Sequence, residues 1–388
     1  MRTLPQLFKS VLVVLVSIFV FSACSTQQTS SPDKLEVVRD EINTLNKSFF
    51  AGDDEGNYAE VKVFFATDRK LENSEDPATM FGGQRGFFRY GSAVVSIPRV
   101  HKMGELEEAS VLNFEFNDDP NKHVVLLKVD LLNPDVFFNQ LRSRIGASNK
   151  KHAFVYIHGY NNSFNYVARR TAQMAYDLAF DGAPIFYSWP SQATVDGYPV
   201  DETNVQWTLP HLKRFLKEVS SETQADSIYL VAHSMGNRAL TRAFIELMQE
   251  EDSELLKPFK EIILTAPDID ADIFKRDIAP KLVQSDAKVT LYSSSKDKAL
   301  IASKSFHGYP RAGDSGSSIV VVPGMDTIDA SDVATDFVGH AYFATSKSII
   351  ADLFELLHKQ YRAEERSFLQ RVSDRFGAYW KVLKEAEE

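Results

Sequence analysis

From Ala147 onward the chain alternates short apolar runs with longer amphipathic segments: "HAFVYIHG", "APIFYSWP", "SIYLVAHS", "EIILTAPD", "AKVTLYSSS" and "SSIVVVPG". A strand that is apolar along its whole length has both faces buried. Runs of that kind, spaced by helix-length segments, predict an α/β fold with a mostly parallel sheet and helices on both faces. Chemistry in such a sheet belongs at the carboxyl ends of the strands. Upstream, from about residue 60 to 130, the pattern changes to "EVKVFFATDRK", "GSAVVSIP", "ASVLNFEF" and "HVVLLKVD", which are short or alternating and predict antiparallel strands. The expected main domain therefore runs over 60–361, with a β-rich part at 60–146 and a core at 147–361. In 362–388, Phe368, Val372, Phe376, Trp380 and Leu383 recur at helical spacing and predict a C-terminal amphipathic helix.

The first 23 residues have a basic start, an apolar stretch from Val11 to Phe21 and the small pair Ser22 and Ala23, the pattern of a secretory signal. The apolar stretch is shorter than the roughly 20 residues that span a bilayer. Cys24, the only cysteine, follows directly, and the segment resembles a bacterial lipoprotein lipobox, whose cysteine becomes the lipidated first residue. That resemblance implies a protein held in the bacterial cell envelope at Cys24. Because Ser25 and not aspartate follows, it points to the outer membrane, facing the periplasm. If Cys24 is the anchor, the mature chain has neither a disulfide nor a thiol nucleophile. Residues 25–34 are polar and read as a tether, and Leu35, Val38, Ile42, Leu45 and Phe49 predict a short helix that completes a leading segment over 24–59.

The formal charge of −10 makes the chain a poor candidate for phosphate-backbone binding, so no nucleic-acid partner is expected. There is no phosphate loop with its lysine, no H-E-x-x-H and no pair of C-x-x-C units, so neither a metal nor a cofactor is expected. "DIDADIF" resembles the start of a calcium loop only superficially, since Ile273 stands where glycine is required and Ala279 where glutamate is.

The stretch "IYLVAHSMGNRAL" is the most informative. "A-H-S-M-G" matches the nucleophile elbow G-x-S-x-G except that Ala232 replaces the first glycine, and it lies between an apolar strand and a helix-like segment, as the elbow requires. Ser234 is therefore the candidate nucleophile. A serine hydroxyl needs a base to take its proton and a third group to orient that base. In this fold class the chain order is Ser, then Asp or Glu, then His. His307 precedes the last expected strand and His358 lies on a helix face, whereas His340 follows that strand and is the candidate base. The acid is expected after the second strand beyond the elbow, at Asp297, with Asp268 as the alternative. Oxyanion donors are expected from the amides of Met235 and Tyr160. His158, Gly159, His233 and Gly236 are read as shaping the turns. Trp189 and Ser191 in "YSWPS" are candidates for the pocket wall, with a buried tryptophan under the sheet as the equal alternative.

Taken together, "VFFATDR", "YGSAVVSIPRVHKMGELE", "VYIHGYNNSF", "YSWPS", "VAHSMGNRAL", "TAPDID", "YSSSKDKAL", "DTIDAS" and "GHAYF" resemble a bacterial α/β-hydrolase family of unknown function, the DUF nine-hundred group. The resemblance implies the α/β-hydrolase fold and supports Ser234, Asp297 and His340 as the triad, without implying a substrate. The expectation is a serine hydrolase acting on a small-molecule or lipid acyl ester. The short connection after "TAPD" leaves no room for a large lid, so an exposed site is expected. The competing expectation is a catalytically idle hydrolase fold that serves as an envelope binding or scaffold protein.

Overall fold

The computed structural model describes residues 32–50, 57–109, 115, 117–250, 253–333 and 340–384. The expected signal, Cys24 and most of the tether lie outside the described residues, as does most of the run at 109–116. Among the described residues, eleven strands form one sheet in the order β10-β11-β9-β8-β7-β6-β4-β5-β1-β2-β3.

The centre is parallel, as the apolar runs predict. β4 (His152–Ile157), β5 (Ala183–Ser188) and β6 (Ser227–His233) are buried at every position, and β7 (Phe259–Thr265) and β8 (Lys288–Ser293) at nearly every one. Helices α3 (Phe164–Asp177), α5 (Leu209–Glu222) and α6 (Gly236–Glu250) cover the faces. They divide the core into two apolar layers, with Phe154 and Tyr156 in one and Val155 and Ile157 in the other. That division follows from the period of two along a strand. At the start of the domain, β1 (Tyr58–Leu71), β2 (Phe81–Pro98) and β3 (Val125–Leu132) pair antiparallel, and β1 also pairs parallel with β5. The β-rich part and the core are thus one sheet. Ahead of them, α1 (Pro32–Phe49) buries Val38 and Ile42 on the face its sequence predicts.

Two elements differ from expectation. The last strand of the expected core, β9, is Met325–Asp329, whereas the apolar run "SSIVVV" before it lies outside any strand with Ile319 and Val320 buried. Gly324, at φ +88°, turns the chain between them. An apolar run signals burial, and a strand is only one way to be buried. The described residues 362–384 do not form the expected helix. They contain a hairpin of β10 (Leu369–Asp374) and β11 (Gly377–Val382), and β11 extends the sheet by pairing parallel with β9. Phe368, Val372, Phe376 and Trp380 are four apart, a spacing that serves a period of two as well as one of 3.6. Gly377, at φ +121°, supplies the turn that a helix would not contain.

Candidate active site

Ser234 stands between β6 and α6 with φ +50°, a left-handed conformation rare for a residue with a side chain. The surrounding backbone fixes it there. Its amide donates to Thr265 O at 3.0 Å, and its carbonyl accepts from the amides of Asn237 at 3.1 Å and Asp268 at 3.2 Å. The Asn237 side chain adds Nδ2 bonds to Ser234 O at 2.9 Å and Thr265 O at 3.1 Å. The elbow needs small neighbours for a measurable reason. A Cβ at Gly236 would lie 2.3 Å from His158 O, and one at Gly159 would lie 2.8 Å from the Ser234 Cβ. The loop after β4 is thus pressed against the elbow, and Ser234 is only 4% exposed. The site is more recessed than the short β7 connection suggests.

Asp297 and His340 come together across the rim, although they are far apart in sequence. His340 Nδ1 lies 2.9 Å from Asp297 Oδ1 and 2.8 Å from Oδ2. The fully buried Asp297 also caps the helix Lys298–His307 by accepting from Leu300 N at 3.0 Å. A helix N-terminus stabilises a carboxylate, so this acid is held in place by the start of its own helix. With Nδ1 donating to the carboxylate, the lone pair of the neutral imidazole is on Nε2. The ring of His233 packs 4.5 Å from that of His340, and His233 Nε2 donates to His340 O at 3.0 Å. The contact between a serine hydroxyl and its base commonly tightens only when substrate is engaged.

Asp268, the alternative acid, is occupied elsewhere. Its Oδ1 accepts from Ser303 Oγ at 2.6 Å and Arg311 Nε at 2.8 Å, and its Oδ2 from Tyr198 Oη at 2.6 Å and an Arg238 guanidinium nitrogen at 3.0 Å. Burial alone would raise this carboxyl, but the two guanidiniums and the two hydroxyls outweigh it and hold it down at about 2. Its four acceptor positions are spent on binding these partners to the elbow.

The remaining histidines of the site are fixed and neutral. Burial, reinforced by Arg69, pushes His158 well below its usual value, and burial with His340 beside it does the same to His233. His158 Nδ1 donates to Gly159 O at 2.7 Å, and its ring stacks on Trp189 at 4.9 Å. Trp189 and Ser191 do not line an open pocket. Both are fully buried, with Trp189 Nε1 donating to His158 O at 2.8 Å and Ser191 Oγ to Asp201 at 2.5 Å. An indole just past a strand end finds its acceptor in the carbonyl just past the neighbouring strand, and that draws the ring under the loop and away from solvent.

The loop after β4 is held by a residue the sequence reading passed over. Arg69, near the end of β1 and 1% exposed, donates through Nε to Ser188 Oγ at 2.8 Å and through its terminal nitrogens to Ser191 O at 2.8 Å and Asn162 O at 2.7 Å. Burial lowers it to about 10 against the opposing pull of Asp201 and Asp68, so it stays protonated. Asp201 grips the same loop from the other side, accepting from Asn161 N at 3.3 Å, and ties it to the connection after β5 by accepting from Gln192 N at 2.8 Å. Tyr160 lies between these clamps. Among the described residues, the amides of Tyr160 and Met235 have no hydrogen-bond acceptor. The available signal was an arginine ending an otherwise buried strand, a charge that must be paired with something.

Residues 134–358 match the family described as alpha/beta hydrolase of unknown function (DUF900). The chain belongs to this family. No curated protein matches it. Among solved structures, it is similar to lipase B of Aspergillus fumigatus, at 11% identity over 55% of this chain and 54% of that one, with a TM-score of 0.35. It is also similar to an inhibited esterase B of Lactobacillus rhamnosis, at 12% identity over 84% and 96%, with a TM-score of 0.32. At such values no property of either is carried over to this chain. The DUF900 match begins before β4 and runs past the helix Lys347–Phe354, and so takes in every residue of the site except Arg69.

Proposed function

We propose that this DUF900 protein is a serine hydrolase that cleaves acyl bonds, with carboxylic esters as the first substrate class to test. The observation that carries the proposal is the Asp297–His340 pair, 2.8 Å apart, on the same strand-end rim as a serine held at positive φ. In this reading Ser234 Oγ attacks the carbonyl carbon while His340 Nε2 takes its proton, and Asp297 keeps the imidazole in the required tautomer and stabilises the cation that forms. The carbonyl π electrons move to oxygen, and the amides of Tyr160 and Met235 receive that negative charge. An oxyanion donor of this kind is worth about 3 kcal/mol. Collapse re-forms the carbonyl and breaks the bond to the leaving alcohol, which takes the proton from His340 and leaves an acyl-serine. Water then repeats the sequence, His340 accepting its proton and returning it to Ser234 as the acid departs.

The proposal extends to place: attachment to a membrane of the cell envelope through lipid on Cys24, where each buried methylene of an acyl chain contributes about 0.8 kcal/mol. The catalytic part is tested by the hydrolysis of p-nitrophenyl acetate beside Ser234→Ala. The expected result is turnover by the wild type and a loss of at least about a thousandfold in the variant. Equal rates would remove Ser234 from the mechanism, and a folded wild type with no turnover and no reaction with a fluorophosphonate would favour a binding or scaffold protein.

A further inference from the structure

The exposed large apolar side chains are not scattered evenly among the described residues. Val195, Val200, Ile273, Ile301, Phe306 and Tyr309, all at least 45% exposed, come from the connections after β5, β7 and β8. Those strands flank β6 and β4 in the sheet, so the connections leave from the rim that carries Ser234. Single exposed apolar residues need no explanation, but a group on one rim marks a place where something apolar binds.

The group is linked to the candidate site through aromatic rings. Tyr160 follows Gly159, which abuts Ser234, and its ring packs on that of Tyr198 at 5.1 Å; the Tyr198 ring in turn meets that of Phe306, 70% exposed, at 6.0 Å. The polar tips of both tyrosines are already used. Tyr160 Oη donates to Val195 O at 2.9 Å, and Tyr198 Oη is bonded to Asp268 and Arg238. The rings are thereby fixed, and their apolar bodies remain for a ligand. On the far side, Ala271 N donates to Pro310 O at 2.9 Å, which ties the Tyr309 turn to the segment carrying Ile273. Two surface depressions, of about 310 and 420 Å³, lie against the β1–β3 end of the sheet and include no residue of the site.

We infer that this rim binds the acyl chain of the substrate, and that the substrate class is therefore medium- and long-chain acyl esters of amphiphiles. The inference rests on the serine hydrolase reading, because Tyr160 joins the two parts: its amide addresses the carbonyl oxygen and its ring begins the path along which the attached chain runs. A chain laid on an open rim is half-buried, which gives roughly a twofold gain in kcat/KM per added methylene.

The test is the chain-length profile of kcat/KM for p-nitrophenyl esters from acetate to dodecanoate, each below its critical micelle concentration. It is measured for the wild type, for Phe306→Ser, for the double variant Val195→Ser with Phe306→Ser, and for Phe87→Ser as a control on an unrelated exposed phenylalanine. The expected result is a profile that rises with length in the wild type and the control, with the decanoate-to-acetate ratio falling about tenfold in the double variant. A wild-type profile that is flat or falls with length, or a double variant whose ratio is unchanged, would overturn the inference and leave the hydrolase reading intact. No turnover at any length would overturn both.

Discussion

Asp297→Asn separates the two candidate acids with little disturbance to the fold. Asn is as good an N-cap as Asp, so the bond from Leu300 N to the side-chain oxygen can be kept, and the helix Lys298–His307 should lose only a few tenths of a kcal/mol. The other side-chain atom changes from an acceptor at 2.8 Å from His340 Nδ1 to an NH₂ donor. Two donors cannot share that bond, and the retained oxygen, 2.9 Å from Nδ1, already accepts from Leu300 N; the favoured imidazole then presents its lone pair at Nδ1 and carries its proton on Nε2, the nitrogen that has to accept from Ser234. A wrong tautomer of this kind lowers kcat by about 10⁴, or about 5.5 kcal/mol. Asp268→Asn should behave in the opposite way. It leaves Arg238 and Arg311 short of a buried partner and destabilises the protein by about 3–5 kcal/mol, while the fraction still folded retains its chemistry. Steady-state hydrolysis of p-nitrophenyl acetate and denaturant melts of both variants provide the assay. Asp297→Asn within tenfold of wild-type kcat, or Asp268→Asn inactive at unchanged stability, would refute the assignment of the acid.

Other outcomes follow from the same geometry. Gly159→Ala puts a Cβ 2.8 Å from that of Ser234 and 3.0 Å from His233 Nδ1, so kcat should fall by about a hundredfold with far less change in the melting temperature; comparison of the two checks it. Arg69→Lys keeps a charge but cannot reach Ser188, Ser191 and Asn162 at once. If Arg69 positions the Tyr160 loop, kcat should drop about tenfold or more with KM nearly unchanged, whereas equal effects on both would make Arg69 merely structural. The Asp268 carboxyl is held at about 2 in the folded protein against about 3.9 unfolded, so its stabilisation is complete above about pH 5 and is lost as the pH falls through 2. That amounts to about 2.5 kcal/mol, and the stability gap between wild type and Asp268→Asn should narrow from pH 5 to pH 2.5 in urea melts. A constant gap would mean that the carboxyl is not perturbed.

The parallel core was legible because residues such as Val155 and Ile157 are apolar on a strand buried on both faces, a pattern few other elements produce. The elbow was legible for a related reason: Gly236 and Gly159 are small because backbone or Cβ atoms lie within 3 Å of where their side chains would be. The pairing of Asp297 with His340 was reachable only through chain order, since nothing local to either residue records a partner 43 positions away. Arg69 and Asp201 were missed because a buried charge gives no periodic signal, and its partners are loop carbonyls, hydroxyls and amides from distant segments. The C-terminal hairpin was misread because a four-residue spacing does not distinguish a helix from a strand until the turn at Gly377 is weighed.

The central claim is that the Ser234 hydroxyl is activated by His340, and site mapping of a fluorophosphonate adduct by peptide mass spectrometry tests it most directly. The prediction is one phosphonyl group on Ser234 of the wild type, forming much faster than on free serine and suppressed by His340→Ala. A folded wild-type protein that stays unlabelled, or carries its label on another residue, would contradict it.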